Sequence, residues 1–285
     1  MSAKKPLFAF FGTPQVGVHV LNRLDARGYL PALVVSAPDK PRGRGHSVSP
    51  SPVKAWALER GIDVLTPATL KDEEFLSALQ NTDWDVFVVA AYNKLIPKTL
   101  LKMPRRGCLN MHPSLLPKFR GPSPIMSAIL EDERETGVSV MQMSEEMDAG
   151  PVVAQARVEI ATEDWPLSNA VLEELLSTEG GNLLAETLEP WIAGEIPPEP
   201  QNPELATYTK KFSDEDARID LSDDARNNLL KIRAFDRGPR AYMLMPDGKR
   251  VIITDAEIQD GALEILTVIP EGKKEMEYKA FLHSS

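Results

Sequence analysis

Four short runs constrain the fold of this chain more than anything else in it: Leu7 to Gly12, Ala32 to Ser36, Val86 to Ala91 and Gly107 to Met111. They are near-continuously apolar. A strand with one wet face alternates apolar and polar residues, so a run that is apolar at successive positions is buried on both faces. That is the habit of parallel strands covered by helices. Helical patterns at Gln15 to Arg27, Pro52 to Arg60 and Glu73 to Leu79 supply the crossovers, with a short strand at Val64-Leu65. The pattern predicts an α/β domain built on a mostly parallel sheet. Val138 to Met143 and Val152 to Val158 read as two further strands. Leu167 to Leu176 and Asn182 to Ile192 read as two covering helices.

The pattern breaks at Glu195. Pro197, Pro198, Pro200 and Pro203 make a stiff, extended stretch, read here as a linker over 195–206 between a domain at 1–194 and a smaller one at 207–285. The second domain is β-rich. A helix from Asp223 to Phe235, capped by Ser222, precedes strands at Ala241 to Met245, Val251 to Asp255 and Leu263 to Val268. Asp247-Gly248 and Asp260-Gly261 mark the turns.

Composition closes several routes. The chain has 285 residues, enough for two cores, and no run of about 18 apolar residues that would span a membrane. A first strand near Leu7 leaves no room for a leader peptide, so the expected compartment is the cytoplasm, and the expected state a monomer. The single cysteine, Cys108, excludes an internal disulfide and a cysteine-rich metal site, and reads as a core residue. His19, His46, His112 and His283 show no ligand spacing, so no metal is expected. The first turn, Gly12-Thr13-Pro14, lacks the spaced glycines of a dinucleotide fingerprint, and there is no phosphate loop. The net charge of −10 argues at first against a nucleic-acid partner. Between residues 37 and 54, however, Lys40, Arg42, Arg44 and Lys54 face one acid, Asp39. Local charge governs phosphate binding more than the total does.

The chemistry concentrates in Asn110-Met111-His112-Pro113-Ser114-Leu115-Leu116-Pro117, at the end of an apolar run. Residues two apart on a strand share a face, so Asn110 and His112 project together where the strand opens into a loop. Ligands bind at such strand ends in open α/β sheets. Downstream, Met147-Asp148-Ala149-Gly150-Pro151 places a carboxylate in a tight turn. Together these supply an amide donor, a group that exchanges protons near neutral pH and a carboxylate to orient or charge it.

The run "NMHPSLLPKFRGPSPI" followed by "MDAGP" resembles the folate-dependent formyltransferases. "FFGTP" at 10–14, "APDKPRGRGHSVSPSPVK" at 37–54 and "KIRAFDRGPRAY" at 231–242 extend the resemblance over nearly the whole chain, and point to the branch of that family that acts on charged tRNA. The resemblance implies a Rossmann-like catalytic domain and a C-terminal module resembling a small OB barrel. It implies an enzyme that moves a formyl group from 10-formyltetrahydrofolate to the free amino group of initiator methionyl-tRNA, for translation initiation. Asn110, His112 and Asp148 match the family's catalytic set. Ser114, Leu115, Leu116 and Pro117 match a folate contact, and Tyr92, Asn93, Ile96 and Pro97 a second folate loop. Lys40, Arg42 and Arg44 match the loop that meets the tRNA acceptor end, where arginine offers forked donors to phosphates and a plane for stacking on bases.

Three departures from the family stand out. Asn93 occupies a position where relatives usually carry glycine, a place for a residue that tolerates positive φ. Gln15-Val16 replaces a common Glu-Phe. The stretch between Glu257 and Leu263 is short, so the OB-like module is abbreviated. The nearest other reading is the same transfer to an amino sugar nucleotide or glycinamide ribonucleotide; a non-catalytic tRNA- or folate-binding protein is a third.

Overall fold

A computed structural model describes residues 5–42 and 47–283. Thirteen strands and eight α-helices run through them. In chain order they begin β1 (Phe8–Phe11), α1 (Gln15–Ala26), β2 (Leu33–Val35), β3 (Lys40–Arg42), β4 (Ser47–Ser49), α2 (Pro52–Glu59), β5 (Val64–Leu65) and α3 (Glu73–Gln80). Next come β6 (Val86–Val89), α4 (Lys98–Leu101), β7 (Cys108–His112), α5 (Pro124–Leu130), β8 (Thr136–Gln142), β9 (Val152–Val158) and α6 (Asn169–Ala193). The chain ends with α7 (Ala225–Ala234), β10 (Tyr242–Leu244), β11 (Arg250–Gln259), β12 (Ala262–Pro270), β13 (Met276–Glu277) and α8 (Tyr278–Leu282).

Seven strands form one sheet in the order β5-β2-β1-β6-β7-β8-β9. The pairings from β5 to β7 are parallel, and β8 joins β7 antiparallel. The apolar runs alternate between two cores. Phe8, Phe10, Val86, Val88, Leu109 and Met111 turn to one face, under α1, α2 and α6. Ala9, Phe11, Phe87, Val89 and Cys108 turn to the other, under Phe75 and Leu79 of α3 and Leu100 of α4. Both faces are dry, as the runs require.

The two helices expected at Leu167 to Leu176 and Asn182 to Ile192 are one, continuous from Asn169 to Ala193 through Gly180-Gly181. The glycines are there for packing. A Cβ on Gly180 would lie 2.5 Å from Met111 Cγ, and one on Gly181 2.7 Å from Arg23 Cβ. Glycine lets α6 lie close on β7 and α1, and tertiary packing outweighs the local propensity.

The chain divides into two compact units. The first holds 1–120, 137–158 and 174–207; the second holds 121–136, 159–173 and 208–285. In the second, β10-β11-β12-β13 form an antiparallel sheet, where the sequence shows three clear strands. The fourth, only two residues long, leaves the sheet one strand short of a five-stranded OB barrel. Helix α7 begins two residues later than expected, with Asp224 rather than Ser222 as its cap: Asp224 accepts from Asn227 N at 3.0 Å, while Ser222 Oγ donates to Asp220. Among the described residues no helix is long and apolar enough to cross a membrane.

Candidate active site

The strand order reverses at β1: β2 lies on one side and the later β6 on the other. Crevices open at the carboxyl ends of strands at such a point. A cavity of about 210 Å³ lies there, lined by Thr13, Ala37, Ser51, Tyr92 and Asn93 among others. The Tyr92 hydroxyl is buried without a hydrogen-bond partner. Burial pushes its pKa up to about 12, so it stays a neutral donor.

Further along the same edge, β7 delivers Asn110 and His112. Asn110 sits in register with Val89 and Met141, half-buried on an interior strand. His112 is 4% exposed. Its Nε2 lies 2.9 Å from the carbonyl oxygen of Phe119. A carbonyl oxygen only accepts, so Nε2 carries the hydrogen, and the neutral ring keeps its lone pair on Nδ1. Nδ1 faces Asp148 Oδ2 at 3.8 Å. Burial lowers the His112 pKa below its ordinary 6.5, opposed by the Asp148 charge and the Phe119 bond. The imidazole is therefore neutral at neutral pH, able to take a proton beside a carboxylate that stabilises the charged form.

Asp148 itself holds an uncommon backbone, with φ at 51°. Asp is among the few non-glycine residues that adopt the left-handed region with any frequency. Two residues on, a Cβ at Gly150 would fall 1.9 Å from the carbonyl oxygen of Gln142, so only glycine lets the turn close against β8.

The loop after His112 is pinned from within. Ser139 Oγ of β8 donates to Ser114 O at 2.7 Å and accepts from Leu116 N at 3.0 Å. Gln155 Nε2 of β9 donates to Leu116 O and to Ser139 Oγ, both at 2.8 Å. The Ser114 hydroxyl donates to Lys118 O at 2.7 Å.

Comparison with known proteins decides the family. Residues 4–188 match the formyl transferase family. Methionyl-tRNA formyltransferase of Thermodesulfovibrio yellowstonii is 36% identical over 96% of this chain and 94% of its own length. The enzyme of that name from Thermus thermophilus is 42% identical over 93% of this chain and 85% of its own. The chain belongs to the methionyl-tRNA formyltransferase family. It is a formyl-transferring enzyme. Among solved structures, HypX from Aquifex aeolicus in complex with tetrahydrofolic acid has the same fold, with a TM-score of 0.63 at 20% identity over 98% of this chain and 47% of that one.

The family's motif positions fall in distinct places. Tyr92 and Asn93 border the cavity, but Ile96 is 4% exposed and packs in the core, and Pro97 is the N-cap of α4. The left-handed residue of this loop is Ala91, with φ at 51°, rather than Asn93. The tolerance of asparagine for positive φ is therefore not what the loop uses. Leu116 is 5% exposed, while Leu115 and Pro117 are half-buried. Because the Leu116 N–H and carbonyl are bonded to Ser139 and Gln155, the edge groups of this residue serve the loop itself. Lys40 and Arg42 lie on β3, paired antiparallel with β4; Arg44 lies outside the described residues. Lys54 closes the base of this segment on Asp39 at 2.7 Å. Ser139 and Gln155, which pin the loop after His112, are residues that sequence reasoning misses. A buried serine in the otherwise apolar run "VSVM" is the one available signal.

Proposed function

We propose that the chain transfers the formyl group of 10-formyltetrahydrofolate to the free amino group of initiator methionyl-tRNA. Asn110, His112 and Asp148 carry the reaction in this reading. The observation that supports it most is the state of His112: buried, neutral, with Nε2–H committed to Phe119 and Nδ1 open beside Asp148.

The steps follow from that geometry. The neutral amine attacks the formyl carbon, forming a C–N bond and an oxyanion. The Asn110 carboxamide donates to that oxyanion, where a fixed donor acts most on a developing charge. His112 Nδ1 accepts the proton leaving the amine, and the carboxylate of Asp148 stabilises the imidazolium. Collapse breaks the bond from the formyl carbon to folate N10. The imidazolium returns its proton to N10, giving tetrahydrofolate and formylmethionyl-tRNA. The tetrahydrofolate in the complex of the HypX neighbour supports a folate donor. Ser114 to Pro117, with Tyr92, Asn93, Ile96 and Pro97, form the folate loops in this reading, and the segment with Lys40, Arg42 and Arg44 holds the tRNA.

The experiment is transfer of labelled formyl from 10-formyltetrahydrofolate to charged initiator tRNA, with an amino sugar nucleotide and glycinamide ribonucleotide as competing acceptors. Preference for either small amine would overturn the reading.

A further inference from the structure

Residues 199–207 of the proline-rich stretch run beside the site. Glu199 N donates to Val152 O at 2.7 Å, and Val152 N donates to Glu199 O at 2.8 Å. At the other end Thr207 Oγ1 accepts from Phe119 N at 2.8 Å, and Thr207 O accepts from Arg120 N at 2.9 Å. Gln201 stands between these anchors. Its Nε2 donates to Asp148 O at 2.8 Å and to Gly150 O at 2.6 Å. Its Oε1 accepts from Arg120 Nε at 3.0 Å and Nη2 at 2.8 Å. One carboxamide thus spends both donors on the turn that carries Asp148 and its acceptor on the residue after Phe119, whose carbonyl anchors His112.

We propose that Gln201 is a positioning residue for formyl transfer, one that sets the separation of His112 and Asp148 by tying the Asp148 turn to Arg120. The proposal rests on the reading that His112 and Asp148 carry the reaction. Two facts make the tie matter. Asp148 holds a left-handed backbone, which persists only when its surroundings fix it. The influence of its carboxylate on the imidazole falls with distance. An amide side chain suits the place because it donates and accepts at once. Methionine has similar volume and neither capacity, while asparagine keeps both but is one methylene too short to span the two loops.

The test uses the full-length enzyme with Gln201→Met, Gln201→Asn, Asp148→Asn and the double variant Gln201→Met/Asp148→Asn. Turnover in Gln201→Met should fall about ten- to a hundredfold, the scale of a misplacement of about 1 Å. The Michaelis constants for both substrates should move less than about threefold, as expected when ground-state binding is intact. In the same variant the His112 ring, followed by NMR and assigned against His112→Gln, should titrate at lower pH, because Asp148 helps its charged form less. The double variant should be no slower than Asp148→Asn alone, since the two changes act on one unit. Gln201→Asn should show the same effects at smaller size, and it carries the test if the methionine variant does not fold. A lowered Tm with unchanged turnover and unchanged His112 titration would make Gln201 merely structural and overturn the proposal. Additive losses in the double variant would overturn it too. Wild-type turnover in Asp148→Asn would instead overturn the reading beneath it.

Discussion

His112 Nδ1 and Asp148 Oδ2 face each other at 3.8 Å, too far for a hydrogen bond and close enough for strong charge coupling. The orienting bond of the imidazole comes from the far side, through Phe119. Asp148 therefore tunes the ring more than it holds it.

That division predicts the pH profile. Burial depresses the His112 pKa below 6.5, so the acid limb of kcat/KM should have its midpoint below that value. Asp148 opposes the depression, so Asp148→Asn should move the limb to still lower pH while cutting the plateau roughly 10²-fold. The sign for stability runs the same way. Between the folded and unfolded pKa values the unfolded chain binds more protons, so the contribution of His112 is complete above 6.5 and is lost as pH falls. His112→Gln should flatten this part of the acid-denaturation curve. A limb that moves upward in Asp148→Asn would contradict the electrostatic account.

Ser139 makes the second prediction. It is fully buried and joins Ser114 O, Leu116 N and Gln155 Nε2. Ser139→Ala leaves Ser114 O and Leu116 N buried without this partner, at about 1–3 kcal/mol. The loop it releases carries Ser114 to Pro117, so the Michaelis constant for 10-formyltetrahydrofolate should rise while that for tRNA holds. Chemical denaturation together with kinetics on each substrate measures both. An unchanged donor constant with reduced stability would separate this loop from folate binding.

Gly180 makes the third. Alanine is the better helix former in isolation, by about 1 kcal/mol. Here its methyl carbon would meet Met111 Cγ at 2.5 Å, on the strand between Asn110 and His112. Gly180→Ala should therefore destabilise by about 1–3 kcal/mol, as overpacking does. Met111 is 2% exposed, so Met111→Ala alone should cost about 2–5 kcal/mol; combined with Gly180→Ala, the loss should be smaller than the sum of the two single losses. A stabilised Gly180→Ala variant would show that α6 can move away from β7.

The contrast at Gly180 marks the boundary of what a sequence can tell. The doubly buried strands are readable because their physical cause, apolar residues on both faces, is local. The Asn110 and His112 pairing is readable because a strand alternates its side chains. The continuity of α6 is not, because two glycines weaken a helix locally, and only the path of Met111 and Arg23 explains them. Helix α5 is hidden because Pro122-Ser123-Pro124 reads as a turn, although proline is at home at the first position of a helix. The cap of α7 falls within Ser222-Asp223-Asp224, where any of the three could cap, and the local pattern points two residues too early. Gln201 is invisible for a different reason: its partners lie 53, 51 and 81 positions away, and no local pattern encodes them.

The last prediction concerns Arg42 and Arg44, within the segment that begins at β3. Their proposed partner is the acceptor end of the tRNA, whose phosphates dominate affinity and make it salt-dependent. Arg42→Ala with Arg44→Ala should raise the Michaelis constant for tRNA. It should also flatten the dependence of that constant on log salt, by about 0.7 in slope for each single-stranded phosphate that is no longer neutralised. The constant for the folate donor should hold. Turnover at saturating tRNA should also drop if the arginines set the register of the amine against Asn110 and His112, because a misplaced nucleophile loses proximity. The gap between wild type and the double variant should be widest at low salt, where phosphate pairing contributes most, and should narrow as salt rises. Both constants, measured at two salt concentrations for each protein, decide it. Unchanged tRNA kinetics with an impaired folate constant would assign the segment to the other substrate.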